Sequence, residues 1–245
     1  MTRTSRETRT TRPVAKRRPA RAVTERPANR RRRASGETPY HHGDLHDALL
    51  AAAERVLERE GLPGLTLRAV AREAGVSHAA PTHHFGDLSG LLSELAAIGF
   101  RRFNEAMVAA GKTDTNPLMQ ALARAKAYVA YAQACPGMYG LMFRTERLDM
   151  SRPSLHEAAT ASFEGLAKAV GAGRNENLAG EALGALSLDQ AAAIARAWSL
   201  VHGFTTLLLD GRLEDILHRL PAGTGVDQLL DAMLRSTVPR PLGAT

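Results

Sequence analysis

Cysteine is nearly missing from this 245-residue chain: Cys135 stands alone, so no intrachain disulfide framework can form and a reducing interior is the expected home. Aromatic residues amount to 4 %, with a single Trp, and β-branched residues are sparse, which argues against a sheet-built core and for an all-α fold. No uninterrupted apolar run approaches the roughly 18 residues that span a bilayer, and the N-terminus lacks the apolar core of a secretion signal. A cytoplasmic location is therefore expected. Catalytic signatures are missing too: there is no GxSxG, no phosphate-cradling glycine loop, no HExxH and no CxxC, so no enzyme and no cofactor are expected.

What the chain has instead is Ala, Leu and Arg. Apolar residues make up 44 %, enough for one large or two modest domains with a core of their own. Charge is unevenly spread: residues 1–39 hold thirteen Arg or Lys against three Glu, a net +10, which leaves about −3 for the rest of a chain whose total is +7. This stretch has almost no large apolar residue and reads as a disordered basic tail. Its cluster Arg30, Arg31, Arg32 and Arg33 would be drawn to phosphates whatever the base sequence, and can also be read as a merely solvated tail.

The most informative stretch is Leu65 to Leu92, LTLRAVAREAGVSHAAPTHHFGDLSGLL. Leu67, Val70, Ala71 and Ala74 recur at helical spacing, Thr66 is placed to cap that helix, and Gly75 to end it with a left-handed turn. Val76 plugs the turn, and Ser77 is expected to cap a second short helix through Pro81 to Phe85. Two short helices around a glycine turn make a helix-turn-helix, although an ordinary packed helix pair has the same periodicity. The residues this arrangement would offer to DNA are Thr66, Arg68, Ser77, His78, Ala79, Ala80, Thr82, His83 and His84, with the tail arginines beside them. A preceding helix from Asp44, its N-cap, to Glu60 buries Leu45, Leu49, Ala52, Ala53, Val56 and Leu57, and Gly61 stops it. His42 and His46 lie four apart and with His41 invite a metal reading, but no further ligand completes a site and none is expected.

These residues resemble the N-terminal DNA-binding domain of the TetR/AcrR family of transcriptional regulators. Its pattern TxxxVAxxAGVSxxxxYxHF is met by Thr66, Val70, Ala71, Ala74, Gly75, Val76, Ser77, His84 and Phe85, and Tyr40 to Leu45 resembles a common lead-in. Two positions depart: Thr82 stands for the usual Tyr and Leu88 for the frequent Lys, both of which contact phosphates in the family. Further on, Trp198, His202 and Gly203 resemble the Trp-His-Gly run that names one class of C-terminal domain in these regulators.

Beyond residue 87 the pattern is helical to the end. A connector runs from about Asp87 to Ala110, followed by stripes at 118–132, 138–143, 155–170, 187–210 and 226–237. The expected organisation is a tail (1–39), a three-helix reading head (40–87) and a larger regulatory and dimerisation domain (88–245). The resemblance implies that helices 187–210 and 226–238 pair two copies, so that a homodimer reads a double-stranded palindromic operator. It also implies a small-molecule effector, for which Phe103, Tyr128, Tyr131, Tyr139, Phe143, Phe163, Trp198 and His202 would suit a mostly apolar pocket; each taken alone fits an ordinary core equally well. The expected function is thus a ligand-released repressor. The rivals are a non-specific nucleic-acid binder driven by the tail and a small helical metalloprotein.

Overall fold

The computed structural model describes residues 42–236, and among them there are helices and turns but no strand. The order is α1 (His42–Gly64), α2 (Leu67–Ala74), α3 (Ala80–Phe85), α4 (Leu88–Gly111), α5 (Pro117–Ala134), α6 (Pro136–Met142), α7 (Pro153–Arg174), α8 (Leu188–Leu209), α9 (Glu214–Leu217) and α10 (Val226–Ser236). Arg30 to Arg33, Tyr40, His41, Thr237 and the closing prolines lie outside the described residues.

Local chemistry sets the helix ends. The Thr66 hydroxyl accepts from the Ala69 amide at 3.1 Å, the Asp87 carboxylate from Gly90 at 2.8 Å and Asn116 from Leu118 at 2.9 Å, each satisfying an N–H that the first turn leaves without a partner. Ser187 and Gln190 form a reciprocal capping box at the head of α8. The helical run of α1 breaks at Gly61 (φ 67°, ψ −179°), as expected, with a short turn through Pro63 following it.

Several expected boundaries need correction. Asp44 is not the N-cap of α1, which begins two residues earlier. Ser77 does not cap α3 with its side chain; its backbone carbonyl accepts from Ala80 in a turn, and the helix starts only at Ala80. α7 continues through Gly171 to Arg174, ending on Asn175 in left-handed conformation (φ 57°), because Gly171 serves a close approach to the Glu176 carbonyl and Leu178 and does not terminate the helix. The short α9 has no counterpart in the sequence reading.

Packing follows from the stripes. One continuous core joins Leu49, Val56 and Leu57 of α1, Val70 of α2 and Phe85 of α3 to Leu91 and Leu95 of α4, and continues to Tyr139 and Leu141 of α6 and Leu155 of α7. The connector α4 therefore belongs to the head and to the body at once. A second cluster seats Leu230 of α10 and Phe204 of α8 against Val129 of α5, and a third lies where α7 and α8 meet Leu178.

Gly75 closes α2 at φ 68°, ψ 30°, with nothing within 4 Å of where a Cβ would stand. Its requirement is conformational, not spatial. Gly75→Val should therefore cost about 1–3 kcal/mol through backbone strain, whereas Gly75→Asn, which tolerates this region, should cost clearly less. Chemical denaturation of the two variants checks this, and equal losses would contradict it.

Candidate DNA interface and regulatory core

The α2–α3 corner presents the side chains expected at a DNA surface. Thr66, Arg68, Ser77, His78, Ala79, Thr82 and His83 are exposed, and Ala80 and His84 are half-buried. α3 is oriented by its other face: Pro81 and Phe85 are buried, and the His46 ring of α1 lies 4.9 Å from that of Phe85. On the inner side of α2, Ala71 is fully buried, which lets α2 and α3 approach closely. α2 is held to α1 by Glu73, which takes hydrogen bonds from Arg55 at 2.8 Å and Arg59 at 3.0 Å. Those two bonds, Arg55 first, hold the Glu73 carboxyl below the usual carboxylate range. Arg68 and Arg72 of the same helix are exposed. On α1, a two-point pair between Glu54 and Arg102 fastens the head to the connector. His46 is turned to the Asp47 carboxylate at 3.2 Å.

The second assembly is aromatic and centres on His202 of α8. The hydroxyls of Tyr128 (α5) and Tyr139 (α6) each lie 2.9 Å from its Nδ1 and 3.3 Å from each other. The Phe143 ring stands 4.7 Å from the imidazole, Trp198 6.3 Å, and Phe103 meets both Tyr128 and Tyr131 edge to face. Seven of the eight expected effector residues are therefore brought together, with Trp198, 43 % exposed, at the edge of the group. Phe163 is not: it lies on α7, 39 % exposed, and makes no ring contact among the described residues. Tyr131 donates to the Gly99 carbonyl at 3.0 Å, tying this group to α4. Burial pushes the Tyr131 hydroxyl up to about 12, raises Tyr128 and Tyr139, and lowers His202, which favours the neutral imidazole.

His202 should make folding stability depend on pH. Its folded pKa is below the ordinary value, so the unfolded chain binds the extra proton first; the stability contribution is complete above about pH 6.5 and drains as pH falls through the lowered folded value. Melting midpoints measured from about pH 7.5 down to about pH 5 should fall less steeply for His202→Gln than for the parent. Equal slopes would mean that His202 is not the group concerned.

The third feature lies on the two helices expected to pair two copies. An apolar groove of about 350 Å³ runs along α8, α9 and α10, lined by Leu200, Phe204, Leu207, Ile216, Leu229 and Met233 among others. Leu207 and Ile216 are 43 % and 49 % exposed. α8 itself is long and apolar enough to cross a membrane by length and composition alone. Arg196 and His202 interrupt its apolar run while leaving an apolar face. α8 also packs against α5 and α7 of its own chain, so its remaining face is the unusual part.

Sequence comparison matches a model of bacterial regulatory proteins of the tetR family to residues 49–95, the helix-turn-helix just described. A model of tetracyclin repressor-like C-terminal domains matches residues 119–237, including Trp198, His202 and Gly203. The chain belongs to the TetR family. It is thus a DNA-binding transcriptional regulator with an N-terminal helix-turn-helix and a helical C-terminal domain. A solved protein of unknown function from Rhodococcus sp. RHA1 is 34 % identical to this TetR-family chain, covers 82 % of it and 98 % of its own length, and superposes with a TM-score of 0.63. The fold is shared at lower identity by PfmR, a TetR-family transcriptional regulator from Thermus thermophilus (17 %, coverage 76 % and 97 %, TM-score 0.51). AibR, solved with isovaleryl coenzyme A and operator DNA, shares it too (15 %, coverage 78 % and 97 %, TM-score 0.52). No curated protein matches.

Proposed function

We propose that this regulator is a cytoplasmic repressor that binds a palindromic operator as a homodimer and is released by a small, largely apolar effector. Residues 40–87 form the reading head and 88–245 the regulatory and pairing body. The observation that carries the dimer is the outward apolar face of α8 and α10, a strip of Leu200, Leu207, Leu229 and Met233 along an open groove. A single short helix reads too few base pairs to find one site in a genome, so two heads on a two-fold axis supply the missing specificity.

The effector is proposed to enter among Tyr128, Tyr139, Phe143, Trp198 and His202, whose hydroxyls and imidazole are the polar handles within an apolar surround. Because Tyr131 and Phe103 connect that group to α4, opening it displaces α4 and with it the head. The effector must prefer the DNA-incompetent arrangement, since equal affinity for both states shifts nothing. That AibR, of the same fold, has been solved holding both operator DNA and isovaleryl coenzyme A supports assigning both kinds of partner to one chain.

Sequencing the fragments that purified protein retains from a random duplex pool tests the reading. An inverted repeat with half-sites about one DNA turn apart is expected, and His83→Ala should cost about 1–3 kcal/mol of discrimination at the base it meets. Retained fragments without a common motif would instead favour tail-driven coating, in which case deleting residues 1–39 should abolish binding.

A further inference from the structure

We infer that Arg152 is the positioning residue through which the helical body sets the angle of the recognition helix α3. Its backbone opens α7, where its carbonyl accepts from His156 at 2.9 Å. Its side chain reaches back across the chain to the other assembly. One guanidinium nitrogen donates at 2.6 Å to the carbonyl of Phe85, the last residue of α3 and one of the C-terminal carbonyls that a helix leaves without an internal partner.

The fit there is tight. A Cβ on Gly90 would stand 2.1 Å from the Phe85 carbonyl and 2.2 Å from the Arg152 guanidinium, so only glycine lets α4 pass beneath this contact. The same segment is pinned a second time, by the Asp149 amide donating at 2.8 Å to the fully buried Ser93 hydroxyl of α4. Residues 149–152 thus form a strut from the start of α7 to the α3–α4 corner, at the end of α4 nearest DNA.

The strut has two sets of acceptors. Besides the Phe85 carbonyl, Arg152 faces two carboxylates that lie just beyond hydrogen-bond reach, Glu94 at 3.6 Å and Asp149 at 3.7 Å. Its Nε is buried without a hydrogen-bond partner. A guanidinium that grips a neutral carbonyl closely while two anions stand less than about 1 Å too far away has an alternative arrangement at hand. A small slide of α7 along α4 exchanges the carbonyl for the carboxylates and frees the end of α3. This is the discrete two-position element that coupling between sites requires. It rests on the proposed effector-driven movement of α4 and specifies where that movement reaches the head.

Two readouts separate the strut from the function it serves. In the free protein, with no DNA present, Arg152→Gln should speed amide exchange across residues 80–92 by about tenfold or more, as expected for loss of a charge-assisted hydrogen bond, while α5 and α8 stay unchanged. Arg152→Lys, which keeps one charged donor, should restore most of the protection. On the duplex selected from the random pool, Arg152→Gln should bind roughly tenfold more weakly. The Glu94→Gln, Asp149→Asn double variant, which removes the competing acceptors, should bind as tightly as the parent or severalfold tighter. Unchanged exchange across residues 80–92 overturns the role of Arg152 whatever the DNA result. A double variant as weak as Arg152→Gln also overturns it, because the carboxylates would then be ordinary members of a clamp. Faster exchange without any duplex preference in the parent would sustain the strut and remove the operator reading instead.

Discussion

Replacing Leu207 with Glu should turn the regulator into a folded monomer with little operator affinity. Leu207 is 43 % exposed on α8 and lines the groove with Leu200, Ile216, Leu229 and Met233. In the monomer a carboxylate there points into water, so folding stability should change by no more than about 0.5 kcal/mol, as for surface sites generally. In a two-fold dimer the substitution occurs twice, and each copy must bury an unpaired charge against apolar side chains. At several kcal/mol per ion, the dissociation constant of the dimer should rise by on the order of a thousandfold or more. Operator affinity should collapse with it, because each head then holds one half-site alone. Light scattering at micromolar protein and titration of the selected duplex measure the two effects together. A Leu207→Glu protein that remains a stable dimer would place the pairing surface elsewhere. The neighbouring Leu208 is the poorer probe: it is half-buried against the Leu230 and Phe204 cluster, so a charge there would also damage the subunit.

Phe85→Ala should be the most destabilising single change in the head. The ring is 1 % exposed and carries the inward face of α3, with the tilted His46 ring beside it and Leu49, Val70 and Leu91 in the same core. Truncating a buried Phe removes its transfer energy and leaves a cavity, at a typical cost of about 3–5 kcal/mol. For a chain of this size that corresponds to a fall in melting midpoint of roughly 10 °C. Since α3 has only six residues and no side-chain cap, it has little stability apart from this anchor, and DNA binding should be lost well below the melting point. A variant that melts within roughly 2–3 °C of the parent, a loss of about 1 kcal/mol on the same scale, would show that α3 is seated by other contacts.

The parts of this molecule legible in the sequence are those whose cause is local. Gly75 needs positive φ, Thr66 and Asp87 find their amide partners three residues on, and the stripe of α1 depends on periodicity alone. Where the cause is distant, the local pattern misleads. The stripe at 155–170 is expected to end before Gly171, but that glycine is a contact point for Leu178 and α7 runs on through it. Ser77 has the right type and place for a cap, yet the turn from Ser77 to Ala80 uses its carbonyl instead. Phe163 belongs to the aromatic inventory by composition, but α7 turns it to solvent. The meeting of Arg152 with Phe85, 67 positions apart, has no local signature at all.

The core that runs unbroken from Leu49 through Leu91 and Leu95 to Leu141 and Leu155 constrains how this regulator can be rebuilt. A chimera spliced at the junction of α3 and α4 would strip the apolar backing from the transplanted corner and leave bare leucines on the acceptor. Swapping promoter preference between such proteins therefore calls for recoding the few outward side chains of α3 in place, not for moving the whole segment.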